Sequence, residues 1–272
     1  MYDDIVLERP DWALAPADMA AGGAAFVHEV VAASGLDGVV VGLSGGIDSA
    51  VSAALAVRAL GPDKVHGICL PYRTSNPDSL TDALAVAEAL GMSTETVAIT
   101  PMVDAFLADR PDLDAVRRGN VMARARMIVL YDASQALNRL VLGTGNRTEW
   151  LLGYTTLHGD AACGLNPVGQ LYKAEIRLLA DHLDLPQQVL AKAPSADLWE
   201  GQADEDELGF TYAEADRLLH HLVDEGLRPR QLAALGFAPA LIEKIAVRMA
   251  AQAFKRTLPP VCSFDRPGPD PA

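Results

Sequence analysis

The segment Leu43-Ser44-Gly45-Gly46-Ile47-Asp48-Ser49 gathers the residue types that a polyphosphate needs. Adjacent glycines let backbone N–H groups close on an anion with no Cβ in the way. Ser44 and Ser49 offer hydroxyl donors to phosphate oxygens, and Asp48 offers a carboxylate that can hold a divalent cation against them. The Gly-Lys-Ser/Thr ending of a γ-phosphate-transferring loop is absent, so the chemistry expected here is the handling of a pyrophosphate. A tight strand-to-helix turn with no ligand is the plainer alternative.

Such a loop must be delivered by a strand and followed by a helix. The apolar run Gly38-Val39-Val40-Val41-Gly42 reads as a buried strand, and the small-residue run 50–60 as a helix stopped by Gly61-Pro62. The helix N-terminus adds donors and a favourable dipole for an anion. Strand candidates 38–43, 65–70, 95–99 and 139–143 alternate with helical stretches, among them 120–137. That alternation predicts an α/β fold, a parallel sheet with helices on both faces. Ligands of such sheets sit beyond the carboxyl ends of the strands. The Ser-Gly-Gly loop, Pro71-Tyr72-Arg73 and Gly143-Thr144-Gly145-Asn146 all fall there.

Residues 1–35 read as one or two leading helices. Beyond residue 145 the pattern turns helical, with segments at 149–154, 173–184, 211–224, 229–235 and 239–256, an acidic loop at 194–207 and a proline-rich tail at 265–272. The last two helices could pass for a helix-turn-helix, but the surrounding acidity favours helices that pack on a core.

The chain has 272 residues, 50% of them hydrophobic, and a formal net charge of −14. Its length suits one compact domain with an appended helical region. The negative charge argues against nucleic acid as a partner. No run is apolar and long enough to span a bilayer, and the acidic start Met1-Tyr2-Asp3-Asp4 lacks the basic region of a secretory signal. Cys69, Cys163 and Cys262 are scattered without metal-like spacing and read as free thiols, so the cytoplasm is the expected location.

The Ser-Gly-Gly-x-Asp-Ser loop resembles that of the N-type ATP pyrophosphatases. Further segments resemble the NAD synthetases in their ammonia-dependent form: the run from Gly119 to Met127, the run from Leu142 to Glu149, Leu171-Tyr172-Lys173, and the stretches from Pro194 to Gln202 and Asp204 to Gly209. The likeness spans roughly residues 25–260 in order. It implies a carbon–nitrogen ligase in which a carboxylate attacks the α-phosphorus of ATP, pyrophosphate leaves, and ammonia then displaces AMP to give an amide. The extra amidase domain of glutamine-dependent relatives would not fit in this length, so free ammonia is the expected donor. Carried over position by position, Gly42 through Ser49 would bind ATP, and Asp48 and Glu149 would ligate Mg²⁺. Thr144 would contact ATP, Lys173 and Ser195 would reach its phosphates, and Arg124 would contact the carboxylate substrate. The family also implies a homodimer.

The acceptor region departs from the family. Where the family reads Phe-Thr-Lys-Tyr/Trp-Gly-Asp-Gly-x-x-Asp after Gly153-Tyr154, this chain reads Thr155-Thr156-Leu157-His158-Gly159-Asp160-Ala161-Ala162-Cys163-Gly164, and the family's His-Lys-Arg becomes Phe254-Lys255-Arg256. Tyr154, Leu157, His158, Asp160, Gly164, Phe254 and Lys255 thus fall where relatives grip deamido-NAD. Two readings stay open: a divergent NAD synthetase that uses His158 and Lys255 instead, or the same amidation turned onto another carboxylic acid in a specialised pathway. A nucleotide-sensing protein would have no need of both Asp48 and Glu149. An RNA-modifying relative would show a basic face or paired catalytic cysteines, and neither is present.

Overall fold

The computed structural model describes residues 8–195, 202 and 204–264. Strands β1 (Val39–Gly42), β2 (Val65–Cys69), β3 (Ser93–Thr96) and β4 (Leu140–Leu142) form one parallel sheet in the order β3-β2-β1-β4. Val39, Val40 and Val41 are fully buried. An inner parallel strand is covered on both faces, which is why three valines run in succession instead of alternating with polar residues.

The third strand lies at Ser93–Thr96, upstream of the expected 95–99. Its Ser-Thr-Glu-Thr sequence is polar because it forms the sheet edge, where the ladder needs backbone rather than apolar side chains. The apolar residues that suggested a strand instead lead off it, and the fully buried Ile99 flanks helix α4 (Thr100–Leu107).

One sheet face carries α1 (Pro16–Ser34), α2 (Ile47–Leu60) and α3 (Pro77–Leu90). Val27, Val31, Ala53 and Ala87 pack there against Val39, Val41 and Val65. A single leading helix is therefore described, ended by Gly35 in the left-handed conformation. The other face is covered by α4 and α5 (Ala115–Ala136), whose Val103, Met122 and Ala125 meet Ile68 and Leu70. Helix α5 starts five residues before the expected 120, because the Asp114 carboxylate caps it by accepting from the Arg117 N–H.

The remainder is helical: α6 (Arg147–Leu152), α7 (Lys173–His182), α8 (Gln187–Ala191), α9 (Asp204–Leu208), α10 (Tyr212–Leu219), α11 (Pro229–Ala234) and α12 (Pro239–Ala251). Several expected boundaries shift: α6 begins two residues before the expected 149, α7 ends two before the expected 184, and α8 was not expected. The acidic loop gives way to α9 at Asp204, and its residues 196–201 and 203 lie outside the described ones. The 211–224 helix turns π-helical at His220–Asp224. The last helix stops at Ala251 and is followed by a short turn, Ala253–Arg256. Leu232, Ile242 and Ile245 of α11 and α12 are buried with Leu152, Leu218 and Leu219, as expected of packing helices. The first seven residues and the expected tail 265–272 lie outside the described residues. Among the described residues no helix is long and apolar enough to cross a membrane.

Candidate active site

In the order β3-β2-β1-β4 the chain winds outward from β1 in one direction and returns to its other side with β4. The crevice where an open α/β sheet binds ligands therefore lies past the carboxyl ends of β1 and β4. Residues 43–46 leave β1 there and residues 143–146 leave β4 there, so the two polar motifs meet.

The first loop is tied by its own serines. Ser44 Oγ and Ser49 Oγ lie 3.1 Å apart, Gly46 N donates to Ser44 Oγ at 3.2 Å, and Ser49 Oγ donates to Gly46 O at 2.9 Å. Gly45 has φ +74°, and a Cβ there would sit 2.1 Å from Ser79 O. Only glycine satisfies both demands. Gly46 precedes α2, whose first-turn N–H groups, on Ile47, Asp48 and Ser49, have no intrahelical acceptor. Leu43 and Ile47 face the core and anchor the loop.

The second loop builds a charged centre with the first. Lys173 Nζ donates to Asp48 Oδ2 at 2.5 Å and lies 3.9 Å from Glu149 Oε1, and its side chain is only 4% exposed. Asn146 joins both carboxylates: its Nδ2 donates to Asp48 Oδ1 at 2.8 Å and its backbone N–H to Glu149 Oε2 at 3.1 Å. Glu149 is thus the third residue of a capping box on α6, with its other oxygen turned to the lysine. Burial, and then the charge of Asp48, push the Glu149 carboxyl up to about 8. For Lys173 burial alone would favour the neutral amine, but the facing Asp48 and Glu149 outweigh it and the pKa ends raised. Asp48 and Lys173 thus form a buried ion pair, with the Glu149 carboxyl beside it disposed to hold a proton, at the end of a phosphate-type loop.

Several supporting groups carried no signal of their own in the sequence. The Tyr212 ring lies under Lys173 Nζ, 5.1 Å away, and its hydroxyl donates to Asp204 at 3.1 Å. Buried Asp216 accepts from Thr148 Oγ1 at 2.5 Å and from Ala174 N at 2.8 Å, fixing α6 to α7. Lys192 donates to Ser79 Oγ at 3.1 Å, pairs with Asp82 at 2.9 Å and reaches Gly45 O at 3.4 Å. Lys192 stands two residues before a quoted motif, and Asn146 lay inside one. Asp204 opened another quoted stretch, whereas Tyr212 and Asp216 look like ordinary helix residues until the fold brings α10 across α6 and α7.

Thr144 sits in the β4–α6 loop, half-buried. Ser195 is exposed, and its Oγ donates to Gln202 O at 2.7 Å, so this bond turns along the chain rather than to the Asp48 centre.

Of the residues expected on the acceptor side, Arg124, Tyr154, Leu157, Asp160 and Lys255 meet around the 153–160 turn. Arg124 donates through Nε and Nη2 to Leu157 O at 3.3 and 3.1 Å. Asp160 accepts from Thr156 N at 2.8 Å and from Thr155 Oγ1, closing the turn. Lys255 Nζ donates to Gly153 O at 2.8 Å and Thr155 O at 2.7 Å, and burial draws its pKa down. Tyr154 OH donates to Glu207 at 2.6 Å and lies 3.1 Å from Asp204 Oδ1, which links this loop to α9. His158 is exposed with φ +59°, and Phe254 is 60% exposed. Gly164 lies along β4, its N–H donating to Val141 O at 2.8 Å.

A parallel sheet with a glycine–serine loop at its switch point and an Asp–Glu–Lys centre beside it defines an α/β protein of the adenine nucleotide alpha hydrolase-like fold. The family model described as NAD synthase matches residues 21–259, and the chain belongs to that family, whose members are carbon–nitrogen ligases. It is 51% identical over 234 residues, 86% of either chain, to the NH(3)-dependent NAD(+) synthetase of Trichlorobacter lovleyi. Among solved structures it is similar to the NMN synthetase of Francisella tularensis, with TM-score 0.82 and 36% identity over 92% of this chain and 100% of that one. It is also similar to the NH3-dependent NAD synthetase of Campylobacter jejuni in complex with the nitrate ion, with TM-score 0.78 and 35% identity over 92% of this chain and 100% of that one. These relatives give no support to a specialised-pathway acid as the acceptor.

Proposed function

We propose that this enzyme makes NAD from deamido-NAD, ATP and ammonia. The observation that carries the reading is the Asp48–Glu149–Lys173 centre at the end of the Ser44–Ser49 loop. In the first step a carboxylate oxygen of the acceptor bonds to the α-phosphorus of ATP, the bond to the bridging oxygen breaks, and pyrophosphate departs with the electron pair. In the second, ammonia bonds to the acyl carbon, AMP leaves, and the nitrogen loses a proton.

Gly42 to Ser49 and Thr144 would hold ATP, with Ser195 at the edge of its phosphates. Charge grows on the departing pyrophosphate, and donors already in place stabilise it without reorganisation. The Lys173 ammonium and the first N–H groups of α2 are such donors. Asp48 and Glu149 fit Mg²⁺: they are oxygen ligands brought together at one centre, and the Glu149 pKa is raised first by burial and then by the charge of Asp48, both of which a bound cation would offset. When bound, the ion would add positive charge at the same leaving group. Arg124, Tyr154, Leu157, His158, Asp160, Gly164, Phe254 and Lys255 would frame the acceptor.

The chain is read as one synthetase domain, since α10 supports the same centre as the sheet loops. Exposed Met102, Phe106, Val116, Ile128 and Tyr131 on α4 and α5 support a homodimer, and three free thiols support the cytoplasm. A second reading, amidation of nicotinate mononucleotide, is favoured by Leu157 in place of the family's lysine and by the likeness to the Francisella enzyme. The test supplies ATP, Mg²⁺ and ammonium with either acceptor and quantifies NAD, NMN and AMP by mass spectrometry. Equal NAD and AMP from deamido-NAD support the first reading. NMN formed in preference supports the second, and AMP with neither amide overturns both.

A further inference from the structure

Outside the catalytic centre, the π-helical turn His220–Asp224 and the following Glu225 gather groups that the amidation does not use. Widening of a helix to π geometry is rare and changes which side chains share a face. Here it brings two successive histidines to one carboxylate. His221 Nδ1 lies 2.8 Å from Glu225 Oε2, and His220 Nε2 lies 3.4 Å from Glu225 Oε1. One ligand atom from each of the three residues falls within 4.8 Å of the other two.

A tetrahedral ion with bonds of about 2.0–2.1 Å keeps its ligands about 3.3 Å apart. The two nitrogen–carboxylate separations, one to each oxygen of Glu225, bracket that spacing, and the 4.8 Å limit on the set leaves a contraction for the ion to draw in. The other nitrogen of His220, Nδ1, lies 3.3 Å from Asp224 Oδ2. A carboxylate beside the far nitrogen favours hydrogen on Nδ1, which leaves the Nε2 lone pair on the side of Glu225, as in metal-bound histidines. Asp224 is itself anchored: Tyr172 OH donates to it at 2.8 Å, and Arg147 pairs with it. Both rings are held by aromatic neighbours. His220 stacks on Trp12 at 5.1 Å and 18°, and His221 meets Phe237 edge-on at 5.8 Å. The imidazoles are 17% and 20% exposed and Glu225 45%, which leaves solvent access for a fourth ligand.

We propose that His220, His221 and Glu225 bind a divalent transition-metal ion of the zinc class, with Asp224 orienting His220 and water completing the coordination. Two imidazoles and one carboxylate select such an ion over Mg²⁺ or Ca²⁺, which take oxygen ligands. The site is distinct from the proposed Mg²⁺ carboxylates, Asp48 and Glu149.

The test uses the full chain without a histidine tag, stripped with chelator and held in saturating Mg²⁺. Zn²⁺ is titrated by calorimetry and Co²⁺ by visible absorption. The expected result is one ion per chain, with the visible bands of low-coordinate Co²⁺. Binding should weaken at least about tenfold in both His221→Ala and Glu225→Gln, and stay unchanged in Asp48→Asn. Circular dichroism checks that each variant is folded, and His221→Cys, which restores a ligand atom, should recover binding. Absence of stoichiometric binding by the wild type, or equal binding by the ligand variants, would overturn the site and leave the cluster a set of ion pairs.

Discussion

The two ends of the proposed substrate path are built by different means. At the nucleotide end, partners far apart in sequence interlock through buried side chains: Lys173 with Asp48, Asn146 with Asp48, and Asp216 with Thr148 and Ala174. At the acceptor end, side chains reaching in from other elements hold the backbone of a largely half-buried loop. Its cations, Arg124 and Lys255, spend their donors on the carbonyls of Leu157, Gly153 and Thr155. The first end therefore meets its substrate with charged groups already in place, whereas the second uses its cations to shape a loop backbone. Preorganised charge is what a departing pyrophosphate requires. If that loop frames the acceptor as proposed, it would tolerate changed side chains as long as the backbone frame survives, in keeping with a motif intact at one end and altered at the other.

Breaking the nucleotide end should have the largest effect. Asp48→Asn keeps an acceptor for Asn146 but removes the charge, and kcat should fall about 10²–10³-fold in a pyrophosphate-release assay. Gly45→Ala forces a Cβ onto Ser79 O and a strained φ, at a cost of about 1–3 kcal/mol. We expect a higher KM for ATP together with a lower Tm.

Asp216 sharpens the contrast through pH. Burial raises its carboxyl from 3.8 to about 6, against the pull of its bonds to Thr148 and Ala174. Between those values the folded chain binds more protons than the unfolded one, so this residue's contribution to stability is lost as pH rises through the window. Asp216→Asn should flatten the dependence of Tm on pH there, by an amount equivalent to about 1–3 kcal/mol.

At the acceptor end the effects should be smaller. Arg124→Ala frees the Leu157 carbonyl and should raise the acceptor KM about tenfold while leaving the KM for ATP unchanged. Leu157→Ala leaves that carbonyl in place and should change the acceptor KM by less than about threefold. A larger loss in Leu157→Ala than in Arg124→Ala would mean that the side chain, not the backbone frame, makes the site.

Much of this was legible in the sequence because the nucleotide end is written in contiguous motifs. The valine run marked β1, the glycine pair marked the loop, and the order of elements placed both polar loops at one edge of the sheet. The polar edge strand β3 was misplaced because hydrophobicity reports burial, and an edge strand needs little of it. The supports of Lys173 were invisible for another reason. Tyr212 and Asp216 act only after α10 crosses α6 and α7, and nothing local encodes that crossing. The roles of Arg124 and Lys255 as clamps on loop carbonyls were likewise hidden, since a charged residue does not announce whether it meets a ligand or a neighbouring backbone.

The most direct measurement is exchange of labelled pyrophosphate into ATP, with Mg²⁺ and deamido-NAD present and ammonia withheld. Adenylation at the Asp48–Glu149–Lys173 centre predicts exchange that requires the acceptor and is lost in Asp48→Asn and in Glu149→Gln. Exchange that persists in both variants would contradict the assignment of this centre to the departing pyrophosphate.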